Sequence, residues 1–69
     1  MKHKVGDTVT IRNDLKGGTI YDRYLLSWWM VEFIGYTTEI TEVNEEEQFY
    51  RLNIDEEVYR WTDEMLESV

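Results

Sequence analysis

The second half of the chain constrains the fold most. From Gly35 onward it reads as three short stretches rich in β-branched and aromatic residues, separated by charged turns and closed by Tyr59-Arg60-Trp61-Thr62-Asp63-Glu64-Met65-Leu66. Strands this short and regularly spaced, in a chain of 69 residues, predict a mainly β fold, a small curled sheet or barrel. The length leaves room for one domain, residues 1–69. A core of this size rarely supplies more than about 3–5 kcal/mol. The chain has no cysteine, so neither a disulfide framework nor a thiolate metal site reinforces it, and a reducing compartment is the natural expectation. The available compensation is aromatic: three Trp, five Tyr and two Phe, each able to bury about 150–250 Å².

Period-2 patterning locates the strands. In Thr8-Val9-Thr10-Ile11-Arg12, Val9 and Ile11 share one face and the polar residues the other. Asn13-Asp14 ends this strand, because short polar side chains bond their own backbone in turns. Thr37 to Val43 is the next strand, with Thr38 and Ile40 on one face. Val43 has the opposite parity, which predicts either a bulge or the strand end between Ile40 and Val43. After the turn Asn44-Glu45-Glu46-Glu47, the strand Gln48 to Ile54 sets Tyr50, Leu52 and Ile54 on one face. Asp55-Glu56-Glu57 reads as a solvated turn and Val58 to Thr62 as the last strand. Thr62 to Leu66 resembles one helical turn with Thr62 as its cap, so that Met65 and Leu66 plug one end of the barrel.

Between the first two long strands the pattern changes. Ile20 and Tyr21 suit a short extended piece. Asp22 then suits a helix cap, and Leu25, Leu26, Trp29, Met30 and Phe33 fall at three- and four-residue spacings. This predicts a helix of about three turns ended by a left-handed Gly35; an irregular aromatic loop is the alternative. The predicted core is Val9, Ile11, Leu26, Met30, Phe33, Ile40, Tyr50, Leu52, Ile54, Trp61 and Met65.

Several of these residues fall in a familiar order. Val5-Gly6-Asp7-Thr8-Val9-Thr10-Ile11-Arg12-Asn13-Asp14-Leu15, then Tyr21, Leu26, Met30, Phe33 and Gly35, the strand Thr37 to Val43, and Trp61-Thr62-Asp63-Glu64-Met65 resemble a group of short uncharacterised proteins from phages, prophages and Gram-positive bacteria. The resemblance spans nearly the whole chain. It implies an SH3-like barrel of about five short strands, with one short helix or helical loop between the first and second long strands, and it implies no reaction. The chain departs from the group's pattern at Asp22 and Arg23, where glycines are usual, at Asp55-Glu56-Glu57, where the group often has Asn-Gly, and in the added pair Trp28-Trp29.

The chemistry-bearing residues are sparse. A nucleophilic enzyme needs an activated Ser, Cys or Lys beside a base. The one histidine, His3, lies in a terminus expected to fray, and neither Ser27 nor Ser68 has a neighbouring base in sequence. The expectation is a protein with no catalytic residues and no cofactor. The acidic runs lack the alternate carboxylates and central glycine of a calcium loop, so no metal site is expected either; charged turns also discourage edge-to-edge strand pairing. No apolar run approaches a membrane span and the start lacks the apolar core of a signal peptide, which gives the expectation of a soluble, cytoplasmic protein.

Charge and aromatic surplus point instead to partners. Net charge is −8, divided as +2 over residues 1–31 and −10 over residues 32–69. Direct nucleic-acid binding is disfavoured, since its affinity comes largely from Lys and Arg on phosphates. Adjacent residues on a helix project about 100° apart, so Trp28 and Trp29 cannot both enter one core. Trp29 shares the stripe of Leu25, Leu26, Met30 and Phe33 and is the one expected inside. Trp28, Val31, Ile34 and Tyr24 then form the candidate partner-binding surface, for an unidentified protein or a second copy. Tyr21, Tyr24, Tyr36, Tyr59 and Trp61 are candidates for an aromatic peptide groove, with core packing the simpler use of Trp61. The leading expectation is a non-enzymatic, phage-derived protein-binding module. The alternative is an acidic nucleic-acid mimic that inhibits a host DNA-binding or defence protein.

Overall fold

The computed structural model describes all residues, Met1–Val69. Six short strands run in the order β1 (Thr8–Ile11), β2 (Thr19–Tyr21), β3 (Tyr24–Leu26), β4 (Thr37–Asn44), β5 (Phe49–Leu52) and β6 (Leu66–Ser68), with two 3-10 helices, η1 (Trp28–Phe33) and η2 (Asp63–Met65). Four strands form one antiparallel sheet in the order β5-β4-β1-β6, and β2 and β3 pair as a separate hairpin. The sheet does not close into a barrel, so the mainly β expectation is met at the level of a curled sheet. The curl has a visible cause. Trp61 pairs with Tyr50 at the β5 side, and only five residues later Leu66 pairs with Ile11 at the far edge. Trp61 lies outside β5, so four strand spacings of about 4.8 Å separate it from β6. That is more than five extended residues at about 3.3 Å each can span, and the crossing through η2 draws the two edges toward each other.

The period-2 signals fixed the sheet well. Val9, Ile11, Ile40, Tyr50 and Leu52 are buried, together with Leu26, Met30, Trp61 and Met65. Phe33 and Ile54 are only half-buried, packed against the edge of this core. The register shifts between Ile40 and Glu42, so the parity change at Val43 marks a bulge and not the strand end. β5 is shorter than the expected Gln48–Ile54 strand, and it buries Phe49 as well as Tyr50 and Leu52.

The expected helix over residues 22–34 does not form. Tyr21 pairs with Tyr24 across a two-residue turn, and Asp22 adopts a left-handed φ of 60° there instead of capping a helix. Its carboxylate accepts from the Glu64 N–H while its own N–H donates to Glu64 Oε1, which ties the hairpin tip to η2. The helix that follows is tighter than expected, with Met30, Ile34 and Tyr36 N–H groups reaching carbonyls three residues back. In a 3-10 helix, residues three apart eclipse. Met30 and Phe33 therefore share the inward face, Trp28 and Val31 share a second, and Trp29 falls in line with Glu32, outside. Gly35 follows with the expected positive φ of 88° and donates to the Ile11 carbonyl.

The C-terminal segment also departs from the sequence pattern. Val58 to Thr62 makes only the single Tyr50–Trp61 bridge, and the last strand is β6, which the pattern did not signal. Side chains have taken the backbone groups that a ladder would use. Asp55 accepts from the Tyr59 N–H, and Arg51 donates to the Val58 and Tyr59 carbonyls. Thr62 flanks η2 without capping it; its hydroxyl donates to the Tyr21 carbonyl.

Asp55 is therefore not part of a solvated turn. It is buried and accepts three N–H groups, from Glu57, Tyr59 and the Trp61 indole. The two glutamates after it pay in strain, both with positive φ, 56° and 66°, a conformation that costs about 1–2 kcal/mol for residues bearing a Cβ. Two substitutions in this turn should act in opposite directions. Asp55→Ala strands the buried indole N–H and lowers stability by at least about 2 kcal/mol. Glu57→Gly relieves the strained φ and raises it by about 1 kcal/mol. Urea unfolding of the two variants measures both.

Candidate functional site

Three surface features could carry function: a run of exposed apolar residues within positions 20–29, a groove that shares Leu25 with it, and a polar cluster around the one histidine. The patch is built by the hairpin and by η1. Ile20 and Leu25 are cross-strand partners on the outward face of the hairpin, the face opposite buried Leu26. Ile20, Leu25, Trp28 and Trp29 are 65, 51, 74 and 75% exposed, four of the nine exposed large apolar residues of the chain within a ten-residue span. The expectation for Trp29 is thus overturned, because the three-residue period of η1 turns it outward with Glu32. Trp28 is exposed as expected, but it is not loose. Its ring lies over Gly17 and Gly18, where an added Cβ at Gly17 would stand 2.5 Å from Trp28 Cε3 and 2.8 Å from Val31 Cγ2. The paired glycines are the seat of the indole.

Of the other candidate partner-binding residues, Val31, Ile34 and Tyr24 are partly buried against the core. Val31 is the one that meets Gly17 together with the Trp28 ring; Tyr24 and Ile34 pack on the core instead. Tyr24 donates its hydroxyl to the Glu47 carbonyl and sets its ring edge-on to Phe49, 5.8 Å between centroids. Among the candidate groove aromatics, Tyr59 and Tyr24 come together, whereas Trp61 is fully buried, Tyr36 lies exposed beyond Gly35, and Tyr21 is tied through its hydroxyl to the Lys16 N–H.

The groove that Tyr24 and Tyr59 share has a volume of about 440 Å³ and is also lined by Leu25, Ser27, Met30, Arg51, Val58 and Arg60. Arg51 and Arg60 both lie over the Phe49 ring at 4.9 Å, and Arg60 over Tyr24 as well at 5.5 Å. Cation–π contact fixes both guanidinium groups here. The Ser27 hydroxyl is buried at the same place without a hydrogen-bond partner. Sequence reading did not single out the two arginines. The available signal was that they are the only basic residues after Val31.

The polar cluster corrects a further expectation. His3 is not frayed but buried, its ring tilted on Tyr50 at 5.5 Å and its backbone N–H donating to the Tyr50 hydroxyl. The Tyr50 hydroxyl donates in turn to Asp63, which also accepts from the Lys2 N–H. His3 Nε2 is buried without a partner. No group of three or more His, Asp or Glu side chains has the arrangement to hold a metal ion, and no helix is long and apolar enough to cross a membrane. No family model, curated protein or solved structure matches the chain.

Burial raises the Tyr50 hydroxyl above its ordinary range, and the hydrogen bond to Asp63 raises it further. The folded state therefore favours the neutral phenol. Its contribution to stability is complete below the unfolded value, about pH 10, and is lost as pH rises above it. Tyr50→Phe should lower stability by about 1–3 kcal/mol at neutral pH, since it leaves Asp63 and the His3 N–H short of a partner. It should also flatten the decline above about pH 10 relative to the parent chain. Denaturant titrations across that range measure both effects.

Proposed function

We propose that this protein is a small non-enzymatic module that binds another protein through the patch Ile20, Leu25, Trp28 and Trp29. The exposure of both tryptophans carries this reading. Each leaves about three-quarters of its surface in water, and water solvates large apolar rings poorly. Burying even one of them would give a small core a substantial gain, yet the 3-10 geometry holds both outside while the glycine seat fixes Trp28. Exposed tryptophans beside further apolar residues are the usual anchors of protein interfaces. The non-enzymatic part rests on the sequence, with no cysteine and a single histidine.

For the fold, the reading is an SH3-like barrel of phage type, acting in the cytoplasm. The strand order β5-β4-β1-β6, the extra bridge at Trp61 beside β5 and the 3-10 turn just before the last strand support it, as does the run of residues shared with the phage and prophage group. The rival reading, a nucleic-acid mimic, needs its carboxylates gathered in phosphate-like rows. They lie instead on separate elements: Glu39, Glu42 and Glu67 on the outer sheet face, Glu45 to Glu47 and Glu56-Glu57 at turns, and Glu32 on η1. Asp55 and Asp63 are used inside the fold.

Trp28→Ala and Trp29→Ala should each change stability by less than about 1 kcal/mol, as surface substitutions do. The double variant should lose association, read by light scattering for a second copy and by affinity capture for a host protein. Capture that is unchanged by the double substitution, with no self-association in the parent, sinks the proposal.

A further inference from the structure

We propose that the groove beside the tryptophan patch is a receptor for an acidic peptide segment, with Arg60 and Arg51 receiving its carboxylates and Leu25, Met30 and Val58 the apolar residues between them. The inference rests on the protein-binding reading and names the chemistry of the partner. Its starting point is an imbalance. The chain has fifteen carboxylate side chains and seven basic ones, yet its one ion pair is the local Arg12–Asp14 contact. Arg51 and Arg60 are the only basic residues among the last 38 positions, and the fold brings both to the same ring, Phe49.

Neither of them has a carboxylate partner. Glu42 stands opposite Arg51 in the β4–β5 register, but the Arg51 guanidinium is turned to the Val58 and Tyr59 carbonyls. Arg60 makes no hydrogen bond at all within the protein and is held only by the faces of Tyr24 and Phe49. A guanidinium fixed on aromatic rings with its donors free is pre-organised for a two-point contact with a carboxylate. The Ser27 hydroxyl, buried without a partner, adds an uncharged polar group at the same site.

The remaining question is which anion. A polyanion such as nucleic acid meets a net charge of −8 and only two cations, too few to offset the repulsion. A short segment with one or two carboxylates meets the two arginines locally and sets its apolar residues against Leu25 and Met30. Leu25 belongs to both the groove and the exposed patch, so one partner can cover the two surfaces together.

The test is an NMR titration of the intact chain with three probes: the peptide acetyl-Leu-Glu-Leu-Glu-amide, its counterpart with glutamine for both glutamates, and a hexathymidylate. The acidic peptide should shift the resonances of Tyr24, Ser27 and Arg60 saturably. The glutamine peptide should bind about tenfold more weakly or less. Arg60→Gln should weaken the acidic peptide to a similar degree, whereas Arg23→Gln, outside the groove, should not. Equal binding of the two peptides, shifts away from the groove, no binding of either, or tighter binding of the hexathymidylate would overturn the proposal. Shifts at Glu45 to Glu47 that grow with protein concentration alone would also overturn it, by making a second copy the occupant. The titration is independent of the patch. If the acidic peptide fails while the double tryptophan variant loses association, the groove assignment falls and the protein-binding reading stands. Peptide binding alongside unchanged association in that variant keeps the groove as the binding site and removes the tryptophan patch from it.

Discussion

The burial of Trp61 is the constraint on which the rest of the structure depends. Its indole is fully buried and meets Phe33 edge-on at 6.3 Å, which joins η1 to the sheet. Its backbone exchanges both hydrogen bonds with Tyr50, at 2.7 and 3.0 Å, and so lies beside β5. From there the chain must cross to β6 at the opposite edge. A buried indole N–H needs an acceptor, and Asp55 supplies it while also accepting from Tyr59 and Glu57. That one carboxylate accounts for the strained φ values of Glu56 and Glu57 and for the absence of a regular strand before Trp61. It also accounts for the groove, because a segment withheld from the ladder presents Val58, Tyr59 and Arg60 toward the β2–β3 hairpin.

What was legible in the sequence was the part governed by a two-residue period. Val9 and Ile11, Thr38 and Ile40, and Tyr50 and Leu52 alternate cleanly, and the parity break at Val43 marked the place of the bulge. Residues 22–34 misled because a stripe at three- and four-residue spacing fits an α-helix and a strand followed by a 3-10 turn nearly equally over so short a span. Leu26, Met30 and Phe33 are inward in either arrangement; only Leu25 and Trp29 tell them apart. The glycines at 17 and 18 lie under the ring of the added Trp28, a tertiary contact that no local pattern marks.

The polar contacts were illegible for a different reason: they join distant positions. His3 meets Tyr50 from 47 residues away, and Asp22 meets Glu64 from 42. No local pattern marks such pairs. An exposed terminus and a solvated acidic turn were the fair readings of Met1 to Lys4 and of Asp55 to Glu57 taken alone, and in both places a buried tyrosine or tryptophan recruits the polar group.

The two kinds of acid divide the work in a way that sets the surface. Of the five aspartates, Asp7, Asp22, Asp55 and Asp63 each accept a backbone N–H, and Asp14 makes the one ion pair. Among the ten glutamates only Glu64 has a side-chain hydrogen bond within the protein. The shorter side chain reaches nearby backbone donors with little loss of freedom, while the longer one stays in water. Carboxylates used for turns and ends are thereby spent on N–H groups rather than on arginines. The negative exterior of residues 32–69 is left to the glutamates, and Arg51 and Arg60, braced on aromatic rings and without carboxylate partners, are the only cations within that half of the chain. Two cations held at one aromatic groove in a chain of net charge −8 favour ligands that bring a few carboxylates to that place over extended polyanions.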